Sequence, residues 1–91
     1  MRHTAWLIKA NGERKEIAPK NGTDFTADEL HGYVGGYIEI VRFRNEIMVV
    51  NEEGKLYGLP YNHQATIIAR WKGYDDDIVG DVVVCHKKMV L

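Results

Sequence analysis

The chain reads as a small α+β domain, a mainly antiparallel sheet with two short helices. Three observations predict this. Apolar runs of strand length recur along the chain, separated by Asn-Gly, Gly-Gly and Glu-Gly turn signals. Helix-start signatures stand at Thr26 and Asn62. The 91 residues, 45% of them hydrophobic, suffice for one domain with its own core.

The elements follow in order. Thr4 to Ala10 reads as a strand. Asn11-Gly12 predicts a two-residue hairpin turn, because both central positions of such a turn need φ > 0. Glu13 to Ala18 returns as the partner strand, and Pro19 ends it by removing a donor. Lys20-Asn21-Gly22 is a loop. Thr26-Ala27-Asp28-Glu29 spells a capping box, with Phe25 and Leu30 at the spacing of a hydrophobic staple. The helix runs from Ala27 to Tyr33 and stops at Gly35-Gly36. Tyr37 to Phe43 is the clearest strand. It puts Tyr37, Glu39, Val41 and Phe43 on one face and Ile38, Ile40 and Arg42 on the other. Arg44-Asn45 turns, and Glu46 to Val50 pairs back. Glu53-Gly54 turns again into a short strand, Lys55 to Gly58. Asn62 caps a second helix over His63 to Trp71, with Ile67, Ile68 and Trp71 as its buried stripe. Gly73 fits just past its end. Tyr74-Asp75-Asp76-Asp77 is a polar loop. Val82 to Cys85 is apolar throughout, as in a strand covered on both sides. The predicted order is β-β-α-β-β-(β)-α-β, a single domain over residues 1–91.

Composition narrows the function classes. Twelve Lys and Arg against 13 Asp and Glu leave a net charge of −1, which argues against a generic nucleic-acid binder. Cys85 is the only cysteine, so no internal disulfide forms, and this usage suits a reducing cytoplasm. Among valines it reads as a small core residue. Arg2 and His3 precede only a few apolar residues before Lys9, so no signal peptide is expected. No apolar run approaches the ~20 residues that span a bilayer. A soluble cytoplasmic protein without a membrane segment is expected.

No catalytic residue is expected. No Ser-His-Asp pattern has supporting context, and Cys85 and His86, adjacent on a strand, point to opposite faces. No metal or cofactor is expected either. His3, His31, His63 and His86 are scattered. The Asp75-Asp76-Asp77 run with Asp81 lacks the alternation and terminal Glu of a calcium loop. Gly35-Gly36 follows a helix instead of opening one and has no Walker-type lysine.

The richest segment is Asn51 to Asn62. If Asn62 caps a helix, the amides of the first turn meet this loop and can bind an anion. Tyr57 and Tyr61 could stack on a base, and Arg70, Lys72 and Lys55 could add charge for phosphate. The ligand-binding set is therefore Asn51, Tyr57, Tyr61, Asn62, Arg70 and Lys72. In the plainer reading, Leu59 and Pro60 pack on the sheet and the tyrosines are half-buried. Arg42 and Arg44 flank Phe43. With Tyr33 and Tyr37 they form either an aromatic–basic surface or ordinary exposed strand residues.

Four motifs resemble one small family: Val34-Gly35-Gly36-Tyr37-Ile38-Glu39-Ile40-Val41, then Val49-Val50-Asn51-Glu52-Glu53-Gly54-Lys55, then Gly58-Leu59-Pro60 with Asn62, then Ile78-Val79-Gly80-Asp81-Val82. It is an uncharacterised domain family of phages and bacterial mobile elements. The resemblance spans nearly the whole chain. The sequence departs from the family pattern in its aromatics at Tyr57, Tyr61 and Trp71. The resemblance implies an accessory factor acting inside a host cell, of a kind that often counters host defence. With the tyrosine-rich loop, the expectation is a non-enzymatic protein that sequesters a small nucleotide-derived ligand. A module that binds and modulates a host protein is the alternative, and a nucleic-acid regulator ranks below both. A concave site in so short a chain calls for a homodimer or higher homo-oligomer.

Overall fold

The central strands have no polar face, and this sets the architecture. In β5 (Val82–His86), Val83 and Cys85 enter one core while Val82 and Val84 enter another. β4 (Glu46–Asn51) divides in the same way, with Ile47 and Val49 on one side and Met48 and Val50 on the other. Strands that are apolar on both faces need a cover on each. The computed structural model describes residues 3–90, and the Arg2 used in the N-terminal reading lies outside them. β1 (Ala5–Ile8), β2 (Arg14–Ile17) and β3 (Ile38–Arg42) complete a five-stranded sheet of order β2-β1-β5-β4-β3. Every neighbouring pair is antiparallel. α1 (Ala27–Val34) covers the first core with Leu30 and Val34, beside Phe25 and Met89. α2 (His63–Trp71) covers the second with Ala65 and Ala69, beside Ile78. The result is an α+β fold with a helix on each side of the sheet.

Local chemistry explains most boundaries. The Thr26 hydroxyl accepts from the Glu29 N–H at 3.2 Å, and the Glu29 carboxylate accepts from the Thr26 N–H at 3.4 Å, which completes the capping box. Phe25 and Leu30 meet in one core, and Gly35 ends the helix at φ 82°. The two faces of Tyr37 to Phe43 separate as the alternation predicts. Ile38 and Ile40 pack against the α1 core, and Val41 and Phe43 join the α2 core.

Three expectations are corrected. The β1–β2 connection is not a two-residue turn. Gly12 N–H donates to the Lys9 carbonyl at 3.0 Å and Lys9 N–H to the Glu13 carbonyl at 2.8 Å, and only Gly12 has positive φ. This is a three-residue loop closed by a glycine bulge, and Asn11 uses its side chain to accept the Glu13 N–H. The short strand Lys55 to Gly58 does not form. Residues 52–58 coil into successive turns, with Tyr57 donating to Glu53, Gly58 to Lys55 and Leu59 to Gly54. The tight passage is possible because Gly54 lacks a Cβ, which would sit 2.9 Å from Val79.

The third correction concerns α2, whose buried stripe is not Ile67, Ile68 and Trp71. Ala65, Thr66 and Ala69 face the sheet, Ile68 packs in part, and Ile67 and Trp71 point outward. The buried Asn62 side chain, bonded to Ile8 and Gly80, fixes which side of the helix turns inward. Among the described residues, no helix is long and apolar enough to cross a membrane.

Candidate functional site

Asn62 is fully buried, and every polar atom of its side chain is engaged. Its Oδ1 accepts from the Ala65 N–H at 3.0 Å, which is the predicted cap. Its Nδ2 donates to the carbonyls of Ile8 at 2.9 Å and Gly80 at 2.8 Å. Thr66 Oγ1 extends the network, donating to the Asn62 carbonyl at 2.8 Å and accepting from the Ile78 N–H at 3.0 Å. Asn62 is thus the expected cap and also an internal clasp, with its own side chain spent on the fold. Asn51 is likewise engaged within the fold. It is buried, accepts from the Glu53 N–H at 2.9 Å and donates to the Val34 carbonyl at 3.2 Å. A Cβ on Gly36 would lie 3.0 Å from its Nδ2, so this packing favours glycine there.

The expected cations are each tied to a carboxylate. Arg70 Nη2 lies 2.9 Å from Asp77, and Lys72 Nζ lies 2.7 Å from Glu46 and over the Phe43 ring. Lys55 pairs with Asp76. The hydrogen bond between these two raises the Lys55 pKa and lowers that of Asp76.

Tyr57 and Tyr61 are both exposed, but they stand apart in their surroundings. Tyr57 lines a shallow groove with His31, Gly35, Gly36, Tyr37, Asn51 and Glu53. Tyr61 bridges to Val79 at the foot of α2, with its ring 6.2 Å from that of His63. Of the six proposed residues, Tyr57 and Asn51 share this groove. Arg70 and Lys72 belong to the far end of α2 and Asn62 to the interior.

A surface missed in the sequence lies on the outward side of α2. His63, Ile67 and Trp71 recur at four-residue spacing, so they climb one helix face above Tyr61. All four are exposed, Trp71 to 86%. The signal that would have found this ridge is the small-residue set Asn62, Ala65, Thr66 and Ala69. It marks the sheet-facing side and puts Ile67 and Trp71 opposite.

Cys85 is buried, and burial, followed by the Glu46 carboxylate, pushes its thiol up to about 11. Its neighbour His86 points the other way and stacks on His3 with ring centroids 4.0 Å apart. Burial, then His3, Lys88 and Lys87, lower the His86 pKa. Its Nδ1 accepts from the Lys88 N–H at 3.1 Å. Among the described residues, no cluster of three His, Cys, Asp or Glu is placed to hold a metal.

Residues 4–89 match a family described as a domain of unknown function, DUF3846. The chain belongs to the DUF3846 family. No curated protein and no solved structure matches it. Two exposed features of this DUF3846 domain stand out: a groove lined by Tyr37 and Tyr57, and the ridge of Tyr61, His63, Ile67 and Trp71.

Proposed function

We propose that this DUF3846 protein is a binding module that engages a partner protein through the outward ridge of α2. In the setting implied by its phage and mobile-element resemblance, it is an accessory factor that modulates a host protein. The observation that carries this reading is Trp71, 86% exposed on a helix whose other side is locked to the sheet. A large aromatic side chain left in water on a rigid element forgoes the burial that normally holds it in a core. Tryptophan and tyrosine supply a large share of interface binding energy, because they bury much area with little loss of side-chain freedom. Anchors at four-residue spacing suit a groove that receives one helix face. Affinity capture from host lysate tests this with wild type and Trp71→Ala in parallel. A stoichiometric protein retained by wild type and lost by the folded variant is expected. Equal capture by both, or no partner for wild type, refutes the reading.

A second reading keeps the small ligand. Tyr37 and Tyr57, both exposed, share one groove with Gly35 and Gly36, which suits stacking on a planar ring. The groove carries Glu53 and no lysine or arginine, so it suits the base of a nucleotide-derived signal better than its phosphates. Calorimetry against cyclic and NAD-derived nucleotides checks it. Heat that disappears in Tyr57→Ala is expected, and no heat at high micromolar ligand rules it out.

A further inference from the structure

The sheet ends in two very different edges. β2 presents Arg14, Lys15 and Glu16, all exposed, and a charged edge repels a further strand. β3, at the other end, reads Ile-Glu-Ile-Val-Arg. The Glu52 N–H donates to the Tyr37 carbonyl and the Phe43 N–H to the Glu46 carbonyl, so the odd-numbered residues of this strand turn their backbone groups toward β4. The backbone groups of Ile38, Ile40 and Arg42 therefore point to the open side. Among the described residues, no hydrogen bond engages their N–H groups. An extended edge of this kind, with aliphatic side chains and no proline, is a template for another strand.

We propose that this edge pairs with β3 of a second copy of the chain, antiparallel, about a two-fold axis at Ile40. The axis stands perpendicular to the sheet, so like faces stay together and paired residues share parity. Charge and strand length together select the register, since centring on Ile38 or Val41 opposes no like charges but leaves part of β3 unpaired. Sliding the strands so that Ile38 meets Ile40 sets Glu39 against Glu39, and centring on Arg42 sets two guanidinium groups face to face. Like charges directly opposite one another destabilise a sheet. Centring on Ile40 pairs all five residues of β3. Ile40 meets itself, Ile38 meets Arg42, Glu39 meets Val41, and no like charges are opposed. Just beyond the strand, Tyr37, 67% exposed, falls opposite Phe43 of the second copy, an aromatic cross-strand pair. The two sheets become one, and both helix layers continue across the junction. This inference is independent of the α2 ridge, which stays uncovered.

Sedimentation of the wild-type protein is the first test. A dimer in the micromolar range is expected, and a monomer at several hundred micromolar overturns the proposal. Register is read by mild oxidation of single-cysteine variants. Ile40→Cys should cross-link to itself, because directly paired Cα atoms lie ~5.5 Å apart, within disulfide reach. Arg42→Cys should not, because its copies would be about 14 Å apart along the strands. Cys85 is buried and does not compete. Cross-linking of Arg42→Cys without Ile40→Cys, or of neither in a dimeric protein, overturns the register. Amide exchange needs no substitution. The N–H groups of Ile38, Ile40 and Arg42 should exchange slowly in the dimer and quickly on dilution. Exchange independent of concentration overturns the edge.

Discussion

Asn62 shows how much one side chain decides. It caps α2, holds the end of β1 through Ile8, and holds the approach to β5 through Gly80. Replacing it with alanine removes a cap and leaves two interior carbonyls without donors, so Asn62→Ala should cost about 3 kcal/mol in chemical denaturation. Tyr61→Ala, one residue earlier and exposed, should stay within about 0.5 kcal/mol of wild type. The cap was legible because Ala65 lies three residues on. The bonds to Ile8 and Gly80 were not, because nothing local announces partners 54 and 18 residues away. Cys85 supplies a pH prediction. Its thiol rises from 9.0 to about 11 in the folded state, so the unfolded chain loses this proton first. Its contribution is fully present below pH 9 and is lost as pH climbs to 11, by about 2 kcal/mol. Denaturation of Cys85→Ala beside wild type across that window should show a difference that shrinks with pH.

At the scale of the element, α2 separates what a pattern fixes from what an anchor fixes. Its start, length and stop are local matters and were readable. Tyr74 N–H bonds the Ala69 carbonyl and Gly73 N–H the Arg70 carbonyl, a complete Schellman ending with Gly73 at φ 91°. Gly73→Ala should therefore cost about 1 kcal/mol of unfolding free energy. The rotation of the helix was misread because Ile67, Ile68 and Trp71 are its most apolar residues, whereas the inward side is set by the clasp and by small side chains that allow close approach. Trp71→Ala should accordingly leave thermal stability nearly unchanged while abolishing partner capture. The segment 52–58 failed for a related reason. Its hydrogen bonds close successive turns, and Gly54 leaves room for the chain to pass Val79.

Across the whole molecule, two cores share one sheet. Val83 lines the α1 side and Val82 the α2 side, and both are fully buried. Val82→Ala and Val83→Ala should each cost roughly 1–3 kcal/mol. The double variant should deviate from their sum, since the two residues are neighbours on one strand and share its backbone. Denaturation of the three variants checks this. The layered α+β order was legible because β5 is apolar at every second position on both phases. The expected joint surface of Tyr57, Tyr61, Arg70 and Lys72 does not form, because nearness in sequence does not carry across a helix that turns its other side outward. The same clasp has a wider consequence. With the inner half of α2 holding the architecture, the ridge residues His63, Ile67 and Trp71 carry little of the folding duty. Substitutions at these three positions should change the surface that the protein presents to solvent while the frame stays put.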